Sequence, residues 1–92
     1  MEVQVTKELK QEIKVLILES LNIPDVTPED IEDDASLFED ENLGLDSIDG
    51  LEIVMALQEK YGVRIDDQNQ ARFILKSINT IAEFIAKELS KK

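Results

Sequence analysis

The sequence predicts an all-α protein, a small four-helix bundle of three main helices plus one short one. Three observations point there. Apolar residues recur at helical spacing in separate stretches, each stretch is bounded by residues that start or stop helices, and no run keeps the two-residue alternation of a strand. The chain of 92 residues suits one domain, residues 1–92, and is too short for two. A domain of this size buries roughly 60–65% of its unfolded surface, enough for one modest core. A hydrophobic content of 42% fits such a core and argues against disorder.

The first helix is expected over about Lys7 to Leu21, where Leu9, Ile13, Leu16, Ile17 and Leu21 share one face. Thr6 supplies an N-cap, Asn22 a left-handed stop, and Pro24 blocks continuation. Pro24 to Leu45 reads as a long acidic connection, and Thr27-Pro28-Glu29-Asp30 as a capped helical turn within it. Ile31, Ala35, Leu37, Phe38 and Leu43 are expected to pin this connection onto the core. Loops this long in small domains are uncommon and usually functional. The second helix should start at Asp46 or Ser47, run to Tyr61 and end on Gly62. After an extended Val63-Arg64-Ile65, a weaker helix is expected from about Asp67 to Leu75. The last helix is expected from about Ser77 to Leu89, with Ile78, Ile81, Ala82, Phe84 and Ile85 as its apolar residues. Lys87, Lys91 and Lys92 suit its C-terminal end.

Composition narrows function. Cysteine and histidine are both absent, which removes disulfides, thiolate metal sites, and the commonest general base and zinc ligand. A reducing cytoplasm is the expected setting. No apolar run approaches the roughly 20 residues of a membrane span, and Met1-Glu2-Val3-Gln4 does not begin like a signal peptide. The net charge of −11 disfavours nucleic acid and anionic lipid and favours a basic protein partner. Between Asp25 and Glu52 stand 12 carboxylates and no Lys or Arg. Such a stretch is either a solvated face or a docking surface, and the clustering favours docking.

The second helix has more apolar surface than a bundle member needs. Val54, Leu57 and Tyr61 share a core stripe, with Ile53 at its margin. Ile48, Leu51 and Met55 form a second stripe, bordered by Asp49, Glu52 and Glu59. Either the helix is buried on two sides, or this is an exposed apolar strip rimmed by acids, as a partner surface would be. A flexible thioether at Met55 suits a surface that meets several partners. Gly50 lies on the core stripe, where glycine costs about 1 kcal/mol relative to alanine. It marks either close helix packing or room for something entering the core beside Ser47.

Leu43-Gly44-Leu45-Asp46-Ser47-Ile48-Asp49 places a serine at a sharp loop-to-helix entrance. A serine there commonly caps the helix, and the N-terminal dipole and backbone N–H groups also suit an anion. No histidine is available to activate it as a nucleophile. Leu43 to Ile48, followed by Leu51-Glu52-Ile53-Val54-Met55-Ala56-Leu57, resembles the acyl carrier proteins, whose signature is glycine, one residue, then Asp-Ser-Leu or Asp-Ser-Ile. The resemblance covers nearly all of the chain. It implies a carrier, not an enzyme, with an acyl-carrier-like fold and 4′-phosphopantetheine on Ser47, beside the motif residue Asp46. A phosphopantetheinyl transferase would attach the group from coenzyme A, and its thiol would hold acyl thioesters. The implied partners are acyl-processing synthases and transferases with basic docking patches. They would meet Asp46, Ile48, Asp49, Leu51, Glu52, Met55 and Glu59. An acyl pocket at Gly50, Val54 and Leu57 completes the expectation, with a monomeric protein and no bound metal, nucleic acid or membrane span. Charge reversal at Asp46, Asp49 or Glu52 is expected to slow docking and leave the fold intact.

Ile48 replaces the family's commoner leucine, Gly50 stands where a larger residue is usual, and Gln58 and Lys60 interrupt the acids at the end of the second helix. The acidic connection and third-helix region run slightly long, and Arg72-Phe73-Ile74 is unusual there. Fatty acid, polyketide, aryl polyene and modified-lipid pathways therefore stay open. So do an aminoacyl or peptidyl carrier and an unmodified interaction module. Asp40-Glu41-Asn42-Leu43-Gly44 begins like a calcium loop, but Gly44 has no ligand side chain and Leu51 stands where the bidentate glutamate belongs. The acid run predicts self-repulsion in the compact state. Added salt or millimolar magnesium should raise the melting temperature; a flat or falling trend across the titration would contradict a destabilising acidic face.

Overall fold

The computed structural model describes residues 5–23, 25–39 and 44–90, apart from the side chains of residues 47 and 68. Pro24, Leu43, Lys91 and Lys92 fall outside it, as do residues 1–4 and 40–42. The helices are α1 (Lys7–Ser20), α2 (Ser47–Tyr61), α3 (Gln68–Ile74) and α4 (Ile78–Ser90), with single 3₁₀ turns at Pro28–Asp30 and Leu37–Glu39 in the α1–α2 connection. No strand occurs among the described residues.

Local chemistry sets these bounds. The Thr6 hydroxyl accepts the Leu9 N–H at 3.0 Å and starts α1. The helix ends one residue before Leu21, which is its C-cap, and Asn22 takes the left-handed conformation at φ 53°. The Asp30 carboxylate accepts the Thr27 N–H at 3.1 Å and holds the proline-led turn. Gly62 stops α2 at φ 66°, its N–H donating to the Gln58 carbonyl at 2.9 Å. The Asp67 carboxylate caps α3, accepting from the Asn69 N–H at 2.9 Å. Ser77 and Thr80 exchange backbone-to-hydroxyl bonds of 2.9 and 3.2 Å where α4 begins.

α1 packs on α4 and α2, and α3 packs on α4. Among the largest fully enclosed side chains, Ile13, Ile17, Ile31, Ile53, Ile78, Ile81 and Ile85 are isoleucines, joined by Leu37 and Leu57. β-Branched residues have few rotamers in a helix, so this core is stiff. Ile53 is fully buried in the core and not at its margin, because the apolar cluster covers a wider arc of α2 than three spaced residues define. Val63 and Ile65 are buried and Arg64 is exposed. The Ile65 N–H donates to the Gln58 side-chain oxygen at 3.0 Å, so Gln58 ties this extended piece to α2. Tyr61 is half-buried, and burial, with a smaller contribution from the Glu12 charge, pushes its phenol up to about 12.

The acidic connection is bound to the bundle at several points. Ile31 and Leu37 enter the core, the Leu37 N–H donates to the Lys76 carbonyl at 3.1 Å, and the Asn79 N–H donates to the Asp33 carbonyl at 2.9 Å. Asp33 also receives the ammonium groups of Lys14 at 2.7 Å and Lys10 at 3.5 Å. Phe38 differs from expectation, because its ring stays 38% exposed and turns towards α2. The hydrogen bond from Lys14 holds the Asp33 carboxyl below its ordinary value of 3.8, partly opposed by desolvation, with further lowering from the Lys14 and Lys10 charges. A carboxyl lowered in the fold contributes stability above its unfolded value, and loses it as pH falls through the folded value. Because the Asp33 side chain is 42% exposed, water screens these pairs and each contributes at most about 1 kcal/mol. Asp33→Asn should therefore unfold more easily in denaturant at neutral pH, and its deficit should close under acid conditions. A deficit that persists unchanged in acid would assign the loss to packing.

Candidate functional site

The site grows from the way α2 begins. Gly44 holds φ 57°, a left-handed conformation that disfavours other residues, and Leu45 is buried just after it, so the chain turns sharply and is anchored before the helix starts. Asp46 Oδ1 accepts the N–H groups of Ile48 and Asp49, both at 3.0 Å. Asp49 Oδ2 accepts the Asp46 N–H at 3.1 Å. This reciprocal cap makes Ser47 the first residue of α2. Its side chain lies outside the described set, but Gly44, Asp46 and Ile48 around it are exposed.

From this start, α2 turns Ile48, Leu51 and Met55 outward, at 71%, 62% and 61% exposure. The helix is therefore not buried on two sides. Glu52 and Glu59 are exposed beside the strip, and Asp49 is half-buried in its capping role. Lys60 does not neutralise these acids: its ammonium lies 3.8 Å from Glu12 of α1 and 5.9 Å from the centre of the Tyr61 ring. An acid-rimmed apolar strip thus runs from the start of α2 towards its end.

Beside the strip lies a cleft of about 570 Å³, lined by α2 residues Gly50, Leu51 and Val54, by Phe38, Ile65, Asp66 and Asp67, and by Ala71, Arg72 and Leu75 from the α3 region. Leu51 belongs to both strip and cleft. Leu57 is fully buried in the core and does not line the cleft. A Cβ on Gly50 would stand 3.0 Å from Phe38 Cζ, 3.4 Å from Phe38 Cε1 and 3.6 Å from Leu75 Cδ1. The space at Gly50 is thus occupied by the Phe38 ring, with a terminal methyl of Leu75 beyond it. Sequence spacing missed Phe38 and the α3 residues because their contacts with α2 cross the tertiary structure; the pairing of a large aromatic with an unexpected helical glycine was the available sign. A second hollow of about 330 Å³, lined by Val15, Leu18, Glu19, Asn22, Ile23 and Pro28, contains no residue of α2.

A phosphodiester on Ser47 would find the first-turn amides engaged. The Ile48 and Asp49 N–H groups donate to Asp46, and the Gly50 N–H donates to the Asp46 carbonyl at 3.0 Å. The helix dipole still favours the anion, but no amide cradle grips it. Exposed flanks and this lack of a cradle fit a covalently borne arm that must leave the surface. Among the described residues no cluster of three or more acidic, histidine or cysteine side chains could hold a metal, and no helix is long and apolar enough to cross a membrane. Reversing Asp46 or Asp49 would also break the cap, so these are not neutral changes of surface charge. Asp46→Ala should destabilise the protein by about 1 kcal/mol, whereas Asp46→Asn should stay near wild type, measured by urea unfolding. Equal losses in both variants would show that charge, and not capping, is the main contribution.

Comparison with known proteins agrees with this arrangement. Residues 11–86 match the family described as "Phosphopantetheine attachment site". An acyl carrier protein of Thermosynechococcus vestitus is 35% identical over 78 residues, covering 85% of this chain and 88% of that protein. One from Buchnera aphidicola is 35% identical over 86 residues, covering 94% and 99% respectively. One from Sulfurovum is 42% identical over 64 residues, covering 68% and 79%. With the family match spanning most of the chain, and these relatives covered over most of their length, the chain belongs to the acyl carrier proteins, a family of phosphopantetheine-bearing carriers and not of catalysts.

Proposed function

We propose that Ser47 bears the 4′-phosphopantetheine arm and that the protein moves acyl intermediates between enzymes of fatty acid, polyketide or related lipid synthesis. The observation that carries this reading is the position of Ser47, the first residue of a capped helix with exposed neighbours, inside the matched region. The arm supplies a thiol that holds the acyl group as a thioester. The protein's own residues do the rest. The Asp46–Asp49 cap fixes the direction of the attachment point, and the strip of Ile48, Leu51 and Met55 offers apolar contact to a partner. Glu52 and Glu59, with the carboxylates of Asp46 and Asp49, attract basic patches on a phosphopantetheinyl transferase and on acyl-processing enzymes. Gly50, Leu51 and Val54 open the cleft one turn along from Ser47, which supports shelter of the chain there, with Leu57 backing the site from the core. The protein acts in the cytoplasm as a monomer, so one exposed α2 face serves each partner in turn.

Incubation with coenzyme A, magnesium and a broad-specificity phosphopantetheinyl transferase should add one group, seen by intact-mass spectrometry, and Ser47→Ala should stay unmodified. Wild-type protein that stays unmodified beside a modified carrier control would instead make it an interaction module. Glu52→Lys with Glu59→Lys should lower the rate of modification on the order of tenfold at low salt and less at high salt. Ile48→Ala and Met55→Ala should weaken the same reaction with little dependence on salt. Wild-type rates in the charge variants at every ionic strength would remove the acidic rim from docking.

A further inference from the structure

The Phe38 ring and the missing side chain of Gly50 are complementary. The ring's tip lies 3.0 Å from where a larger residue would place its first carbon, so the ring would have to shift if a side chain stood there. The ring also lines the cleft, together with the apolar side chains of Val54, Ile65, Ala71 and Leu75. Its backbone is held on both sides. Leu37 is 1% exposed and its N–H donates to the Lys76 carbonyl at 3.1 Å, and the Glu39 N–H donates to the Ser36 carbonyl at 3.3 Å. Phe38 is 38% exposed, so one side of the residue faces solvent and not packed neighbours, which leaves room for a second rotamer.

We propose that Phe38 is a specificity-determining residue that sets the shortest acyl chain the cleft shelters, because its ring stands against Gly50 in the cleft wall and a chain that fills the cleft must displace it. The inference rests on the reading of this cleft as the acyl shelter. Short chains bury too little surface to displace the ring and stay outside, and longer chains displace it. Each methylene that enters favours the sheltered state by about fourfold. Exposing the remainder of an already part-exposed phenyl ring offsets about two methylenes. The chemical class selected is a saturated or lightly functionalised acyl chain above a threshold length.

The test loads the full-length protein and Phe38→Ala, with Phe38→Leu as a second variant, with straight acyl groups from butyryl to tetradecanoyl. A broad-specificity transferase transfers each from its coenzyme A thioester. Thioester hydrolysis in mild alkali is measured for each length, and the nuclear magnetic resonance shifts of the Gly50 α-protons are recorded before and after loading. In the wild type, protection should begin at a threshold length. In Phe38→Ala that threshold should fall by about two carbons, with Phe38→Leu between. The Gly50 α-protons should carry an aromatic ring-current shift in the unloaded wild type that is absent from Phe38→Ala and disappears above the threshold. Equal thresholds in all three proteins, or a Gly50 shift that survives loading with a protected chain, would overturn the role of Phe38 and leave the shelter intact. If no length is protected in any of the proteins, the shelter itself is wrong, and the role of Phe38 falls with it.

Discussion

The cap shared by Asp46 and Asp49 fixes where α2 begins, and the burial of Ile53 and Leu57 fixes which of its faces turns outward. Each residue along an α-helix turns the side-chain direction by about 100°. With Ile53 and Leu57 held in the core, that turn leaves Ile48, Leu51 and Met55 on the solvent side. Gly44 and Leu45 make the same start reachable from the other direction, one by adopting a left-handed turn and the other by burying a side chain next to it. Two carboxylates on three backbone donors therefore set where the attachment serine sits, and the buried face of the same helix sets which face meets partners.

The acids of the chain do unlike jobs despite their common charge. Asp33 is a tether, bonded through its backbone to α4 and through its carboxylate to two lysines of α1. Asp30 holds a turn, Asp67 starts α3, and Asp46 and Asp49 start α2. Glu52 and Glu59 stand exposed on α2 beside the apolar strip. The repulsion inherent in a net charge of −11 is thus partly offset locally by backbone dipoles and lysines. What remains points outward on α2, where Lys60 leaves it unopposed by pairing with Glu12.

Much of this was legible in the sequence, for a physical reason: helix ends are decided by neighbours in the chain. Thr6, Asn22, Gly62 and Ser77 lie at or beside helix ends where spacing and cap chemistry put them, and the outward turn of Ile48, Leu51 and Met55 follows from helical periodicity once the start is known. Ile53 was misjudged because the width of a core stripe depends on everything that packs around it, which spacing does not report. Asp33 could not be told from its eleven acidic companions, since its lysines come from twenty or so residues upstream. Phe38 and the α3 side of the cleft stayed hidden likewise, because their positions follow from where a loop and a third helix settle against α2. The attachment motif itself was readable because it is short and contiguous.

The packing of α1 against α4 has a consequence for synthesis. α1 emerges from the ribosome before α4, yet Ile13 and Ile17 are enclosed together with Ile78, Ile81 and Ile85. Until the last helix is made, the apolar faces of the earlier ones lack their full cover. Closure is therefore tied to translation of residues 78–90, and a nascent chain stalled short of them would present isoleucine to chaperones instead of a finished surface.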